Sequence, residues 1–288
     1  MAVTWIQKCM DRLDDALRHR SLLGEHRWLR DRLRKPYHWL LNLHGGGITI
    51  NLGRCVPARI PAEFASKLME DYEVEEFRTI RAWCGEHGDG LLVDVGCSQG
   101  YLSCAALFSS SQVQVVAIDS DLNSLQSTRR VCGLATGVRD RLFVVQALVS
   151  AATPQPVAWP EAARQTEARL AASGLRGDPG SHQYICLDQA GAGDIPLHTL
   201  DALLAGELTS TRPLFIKCDV EGAELEVLRG AAQLMRTRRP GLLVSVHPQF
   251  IGRFGGSVAA VESFLNEHGY TYTVLAVDHE QHWLCRPV

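Results

Sequence analysis

No apolar stretch in the 288-residue chain approaches the roughly 18 residues that a bilayer-spanning helix needs, so a helical membrane span is not expected. Met1 to Ile6 shows no basic start followed by an apolar core; a cleaved signal peptide is therefore not expected, and the expected compartment is the cytoplasm. Paired cysteines are also missing. The nine cysteines are odd in number and form no C-x-x-C, which speaks against a disulfide framework and a zinc site. Several fall in strand or helix patterns, where they act as small apolar residues. Charge of one sign is scarce as well: a net charge of -3 gives no whole-chain reason to expect nucleic acid. What remains is 46% hydrophobic and 21% charged residues, ordinary for a globular chain of one α/β domain with extensions or two small domains.

The most informative stretch runs from Leu91 to Leu107, where the apolar Leu91-Leu92-Val93-Asp94-Val95 enters a turn bracketed by Gly96 and Gly100 and continues into an apolar helical run. The pattern reads as strand, tight loop, helix. Glycine lets the backbone pass close to a ligand, and exposed N-H groups at the following helix start favour polar or negative groups. About one βα unit later, Val113 to Asp119 reads as a second strand ending in a carboxylate, which suits the two hydroxyls of a ribose. The pair reads as a nucleoside site. The dinucleotide fingerprint G-x-G-x-x-G lacks its middle glycine here, because Ser98 occupies that place. A pyrophosphate is thus disfavoured relative to S-adenosyl-L-methionine (SAM), which carries no phosphate.

Strands near 91–95, 113–118 and 142–148 alternate with helices near 101–109 and 122–133, the order of a doubly wound, mostly parallel sheet. Ligands in such sheets bind at the C-terminal strand edge. Asp94 lies within the first strand, Asp119 ends the second, and Asp219 and His247 end the fourth and fifth, so all four approach one crevice. Tyr270–Val277 and His282–Arg286 read as strands, and Ser257 as the N-cap of a helix running to about His268. Residues 1–62 read as an extension: basic amphipathic helices to about His44, interrupted by Pro36, then a hairpin over Ile48–Ile60. Those helices suit docking on the core, docking on a second subunit in a homo-oligomer, or peripheral contact with the inner face of an anionic membrane. Glu63 to His87 reads as one helix opening the main domain, 63–288. Residues 151–194, rich in proline and glycine with helix expected only over Glu161–Ser173, read as an insertion that forms either a lid or acceptor-binding element or a flexible surface loop.

Further along, Ile216-Lys217-Cys218-Asp219-Val220-Glu221-Gly222-Ala223-Glu224 followed by Leu228-Arg229-Gly230-Ala231 resembles the I-K-x-D-V-E-G-x-E … L-x-G-A signature of the FkbM family of SAM-dependent methyltransferases. Ile195 to Asp201 resembles that family's V-P-x-x-T-L-D element, Ala147 to Ser150 its A-L-S segment, Leu242 to Pro248 its L-L-x-E-I-H-P strand end, and Tyr72-Glu73 its Y-E. The likeness departs in two places. Asp119-Ser120 stands where the family usually has Glu-Pro, and Ser245 where it commonly has Glu. The resemblance implies a seven-stranded, Rossmann-like class I methyltransferase with SAM as cofactor. It also implies O-methylation of a sugar or secondary-metabolite hydroxyl, with a small-molecule, glycan or glycolipid acceptor.

Methyl transfer to oxygen aligns donor and acceptor in line and needs help in removing the hydroxyl proton. His247 is the base candidate. Asp219 and Glu221, two carboxylates at one strand end, join it and suit Mg²⁺, with Asp219 as the metal ligand. Asp94, Gly96, Ser98 and Gly100 are assigned to the amino-acid end of the cofactor and Asp119 to its ribose. Glu73 and Tyr101 are placed at the mouth of the loop and Gln146 near adenine. The loss of the acid at Ser245 leaves a second reading, a SAM-fold protein that binds or assembles without catalysis; the missing glycine disfavours a third, an NAD-dependent oxidoreductase.

Overall fold

The computed structural model describes residues 46–65, 73–152, 156–178 and 195–288, with His38, Trp39, Asn42 and Leu68. The expected basic helices before His44 and the last part of the insertion lie outside the described residues.

The sheet comes from the β-branched and leucine-rich runs. Strands β3 (Leu91–Val95), β4 (Gln114–Asp119), β5 (Leu142–Gln146), β8 (Leu214–Cys218), β9 (Gly241–Val246), β10 (Tyr270–Val277) and β11 (Gln281–Pro287) make one seven-stranded sheet in the order β10-β11-β9-β8-β3-β4-β5. β3, β4, β5, β8 and β9 are mutually parallel, and β11, antiparallel to both β9 and β10, is the one reversed strand of this sheet. The chain order reverses between β3 and β4 on one side and β8 on the other, which opens the crevice at their C-terminal ends.

Period-two alternation divides the core. Leu92, Val115, Ala117, Val144, Phe215 and Leu243 face helices α2 (Val74–Glu86), α3 (Tyr101–Ser109) and α4 (Leu122–Cys132). Val93, Val95, Val116, Ile118, Ile216, Cys218 and Val244 face α6 (Leu200–Leu203), α7 (Glu224–Arg229), α8 (Ala232–Thr237) and α9 (Val258–Glu267). Each fully buried Val, Leu or Ile contributes roughly 1.5–3 kcal/mol, so both faces hold the sheet rigid beneath the crevice. The hairpin β1 (Ile48–Leu52) and β2 (Val56–Ile60) buries Ile48, Leu52, Val56, Ala58 and Ile60 in the same cluster as α2 to α4.

Two expected elements differ. Glu63–His87 is not one helix: α1 (Ala62–Ala65) is separate, and α2 begins only after Glu73, whose φ of 44° is left-handed and breaks the helical backbone. In the insertion, α5 (Trp159–Ser173) forms as expected, but it lies against the edge strand β5, where the Thr166 hydroxyl accepts the Gln146 N-H at 2.8 Å. The helix therefore covers a sheet edge that would otherwise be open to pairing. The pair β6 (Leu148–Val149) and β7 (Leu197–His198) closes the insertion at its base. Among the described residues no helix is long and apolar enough to cross a membrane.

Candidate active site

The loop after β3 is built from the inside out. Gly96 sits at φ 73°, and a Cβ there would meet the Asp219 carbonyl oxygen at 1.7 Å, so only glycine lets the loop pass under the end of β8. Its carbonyl accepts a hydrogen bond from Lys217 Nζ at 2.8 Å. Lys217 lies directly opposite Asp94 in the β3–β8 register, and its ammonium stands 3.4 Å from Asp94 Oδ1 and 3.4 Å from Asp219 Oδ2. Burial acts to lower the lysine pKa, but the carboxylates of Asp219 and Asp94 outweigh it and hold the ammonium charged. The other Asp94 oxygen accepts the Ser103 hydroxyl at 2.6 Å. Asp94 is thus fully buried and organises the loop from beneath.

The loop amides are spoken for. Gly96 and Cys97 donate to the Ile118 carbonyl, Gly100 to that of Cys97, and Ser98 to Asp119 Oδ2 at 2.9 Å. The amides of these four loop positions are thus used within the fold and form no ready nest for phosphate. Around the loop stand four carboxylates, Asp94, Asp119, Asp219 and Glu73, against one ammonium, Lys217, an acidic balance that suits an ammonium or sulfonium. Asp119 also accepts the Asp121 N-H at 2.9 Å through Oδ1. Burial pushes its pKa up to about 6, although both backbone donors pull it down. Each oxygen keeps a second lone pair for a ribose hydroxyl.

The remaining cofactor candidates spread around this loop. Glu73 comes close to both Asp219 and Glu280. Tyr101 donates its hydroxyl to the Phe64 carbonyl at 3.0 Å and so ties α3 to α1. Gln146, opposite Asp119 in register, gives its Nε2 to the Ser120 carbonyl at 3.0 Å and takes Arg169 on Oε1 at 2.9 Å. Its side chain borders the crevice but is already engaged.

On the far side of the loop, Asp219 and Glu221 leave the end of β8 and His247 the end of β9. Glu221 has φ 54°, and Gly222, at φ 110°, packs where a Cβ would strike the backbone of Phe250. Glu73, Ser98 and Glu221 are three of the five left-handed non-glycine residues among the described ones, and all three face this crevice. Backbone strain of this kind concentrates at functional sites. Glu224 Oε1 accepts the Gly222 N-H and lies 2.7 Å from His247 Nδ1, which fixes that nitrogen as the protonated one in the neutral ring. His247 Nε2 turns toward Glu221 at 3.4 Å and Asp219 at 3.6 Å, and pairs with Glu280. Burial acts to lower the His247 pKa, but Glu224, Glu280 and Asp219 overcome it and raise it to about 10. An imidazolium donates a proton and does not accept one, so His247 serves as a base only from its neutral form, with the Nε2 lone pair free. Burial raises the Glu221 carboxyl, and Glu221 is the most exposed of the three.

Sequence reasoning missed Lys217, Glu224, Glu280 and His282. Ser245 donates to or accepts from His282 Nδ1 at 3.1 Å, so the position lacking the usual acid is partnered by a histidine from the neighbouring strand. The run Asp278-His279-Glu280-Gln281-His282 carried the available signal, with metal-binding types at every second position. Away from this edge, a cavity of about 750 Å³ opens where β8 and β9 begin. Its Arg212 and Arg238 are committed to backbone carbonyls of Asp89, Gly90, Glu207 and Arg212, so it reads as structural.

A mostly parallel seven-stranded sheet closed by an antiparallel hairpin, with a glycine loop after the first core strand and an acid ending the next, is the class I methyltransferase architecture. The methyltransferase FkbM domain matches residues 94–272, well over half of the chain, and the chain belongs to that family. No curated protein matches the sequence. Among solved structures, the chain is similar to methyltransferase FkbM from Methylobacillus flagellatus KT at 17% identity and TM-score 0.44, covering 69% of this chain and 43% of that one. It is also similar to precorrin-6y C5,15-methyltransferase from Geobacter metallireducens GS-15 at 16% identity and TM-score 0.39, covering 76% and 90% of the two chains. A third is an O-methyltransferase from Bacillus cereus in complex with SAH, at 12% identity and TM-score 0.40 with 96% and 97% covered. The chain thus spans less than half the length of the Methylobacillus protein.

Proposed function

We propose that the protein is a SAM-dependent O-methyltransferase acting on a hydroxyl of a sugar or secondary metabolite. The observation that carries this reading is the abutment of two half-sites: the Gly96 loop, whose amides are internally used and whose rim is acidic, rests directly on Asp219, the first residue of the acceptor cluster. A cationic sulfonium with an ammonium group suits that rim, whereas a pyrophosphate would meet more carboxylates than cations there. Asp119 takes the ribose hydroxyls, and Asp94, Gly96, Ser98 and Gly100 shape the pocket for the amino-acid end.

Asp219, Glu221 and His247 receive the acceptor hydroxyl, with Glu221 the most accessible carboxylate for its proton. An ion at Asp219 would supply Lewis-acid help in ionising the alcohol. Glycan or glycolipid acceptors, and peripheral membrane contact through the basic segment before His44, belong to the same proposal. Transfer of a labelled methyl group from SAM to a panel of glycans and hydroxylated metabolites tests it. Label in any acceptor supports the reading; SAM binding with no transfer to any acceptor favours a binding or assembly role.

A further inference from the structure

Beside the methyl-donor loop, the two buried histidines of the sheet are held in the same manner. His247 gives Nδ1 to Glu224 Oε1 at 2.7 Å and points Nε2 at carboxylates: Asp219 Oδ1 at 3.6 Å, Glu221 Oε2 at 3.4 Å and the paired Glu280 Oε2. His282 has Nδ1 at 3.1 Å from Glu76 Oε1 and at 3.1 Å from Ser245 Oγ, and points Nε2 at Asp278 Oδ2, 3.8 Å away, and Glu280 Oε1, 3.5 Å away. A ring held by a carboxylate on one nitrogen and aimed by the other into an acidic cluster is how proteins orient metal-ligating histidines. Here the device occurs twice. Glu280 lies between the two, with Oε2 turned to one cluster and Oε1 to the other.

The charge in this region is out of balance. His247 Nε2 and Glu280 Oε2, on side chains that are 0% and 6% exposed, meet only through their ion pair, and Glu76 Oε1, on a side chain 2% exposed, faces His282 Nδ1 at 3.1 Å. Six carboxylates, Glu76, Asp219, Glu221, Glu224, Asp278 and Glu280, lie within 4 Å of the two imidazoles. Asp219, Glu221 and His247 on one side, and Asp278, Glu280 and His282 on the other, each offer ligand atoms within 4.8 Å of one another. Cations at these two places would take the Nε2 lone pairs of the two rings and offset the mutual repulsion of the carboxylates. Glu221 and Asp278, at 36% and 56% side-chain exposure, leave each place a path to solvent.

We propose that the protein binds two divalent cations in a carboxylate–imidazole centre, one held by Asp219, Glu221 and His247, the other by Asp278 and His282, with Glu280 bridging them. The imidazole nitrogen in each set favours Mn²⁺, Fe²⁺ or Zn²⁺ over Mg²⁺, which prefers an all-oxygen shell. Glu224 and Glu76 are positioning residues that fix the two rings. Ser245 makes room for the second histidine where a larger acid would crowd it.

The first cation shares the acceptor cluster of the proposed function and in that respect rests on the same site, but metal binding is tested on the full chain without methyl transfer, so the two readings can fail separately. Protein stripped with chelator is titrated with Mn²⁺, and bound metal is counted by elemental analysis and by electron paramagnetic resonance. Two Mn²⁺ per chain with an exchange-coupled spectrum are expected. Glu280→Gln should weaken both ions at least tenfold and abolish the coupling, whereas His282→Ala should leave one uncoupled Mn²⁺; circular dichroism and thermal melting identify any variant that has not folded. For the wild type, fewer than two ions, two ions with an uncoupled spectrum, or stoichiometric loss on simple gel filtration would overturn the proposal. So would a folded Glu280→Gln that binds both ions as tightly as the wild type.

Discussion

Lys217 and Gly96, 121 residues apart in sequence, are joined by a hydrogen bond of 2.8 Å from the buried ammonium to the loop carbonyl. The same ammonium pairs with Asp94 and Asp219, so one cation locks the loop after β3 to the end of β8. Lys217→Met should lower stability by about 3–5 kcal/mol, because it strands Asp94 as an unpaired buried charge. Chemical denaturation measures this. The double variant Asp94→Asn, Lys217→Met should recover part of the loss; equal instability of the two variants would show that the pairing is not what holds the loop.

Gly96→Ala is expected to be among the most damaging single changes in the sheet. Its Cβ would fall 1.7 Å from the Asp219 carbonyl oxygen, and φ 73° strains any residue but glycine. A thermal shift should show a large drop in melting temperature together with loss of SAM binding. A variant that melts like the wild type would refute the close approach.

Asp119→Ala should weaken SAM affinity by about 1.5–3 kcal/mol for each charge-assisted hydrogen bond lost. The raised pKa sets a pH dependence with a definite sign. Asp119 accepts best as a carboxylate, so affinity should hold above about pH 6 and decline as the pH falls through it. Its effect on stability runs the same way only when SAM is bound. In the free protein a raised carboxyl pKa means that the folded state binds the proton more tightly, and ionisation costs stability as pH rises toward 6. Titrations with SAM from pH 5 to 8 would show a flat profile if Asp119 does not touch the ribose.

Glu221→Gln should cut the rate of methyl transfer by roughly 10²- to 10⁴-fold, the usual contribution of a positioned proton acceptor, and leave SAM affinity within a factor of about two. Single-turnover rates with labelled SAM separate the two quantities. Full turnover in this variant would remove Glu221 from the proton-transfer role.

Much of this was legible in the sequence, because the sheet rests on short-range signals. The apolar runs at Leu91–Val95, Val113–Asp119 and Leu242–Val246 are too hydrophobic on both faces to be anything but buried parallel strands, and glycine and Ser257 punctuate them. Asp119, Asp219 and His247 could be placed at one edge from strand order alone. What could not be read depends on contacts between distant segments. The internal use of the loop amides required knowing that Ile118 passes beside Gly96. The sharing of His247 among four carboxylates required the hairpin to return Glu280 to the end of β9. Glu73 breaks the expected helix with a left-handed backbone that no propensity scale assigns to glutamate.

The account stands on the pocket formed by the Gly96 loop and Asp119, and isothermal titration calorimetry of the purified chain with SAM and, separately, with NAD tests it most directly. Saturable heat at one SAM per chain, abolished or strongly weakened by Asp119→Ala and absent with NAD, is the predicted result. Heat with NAD and none with SAM or its demethylated product would contradict it.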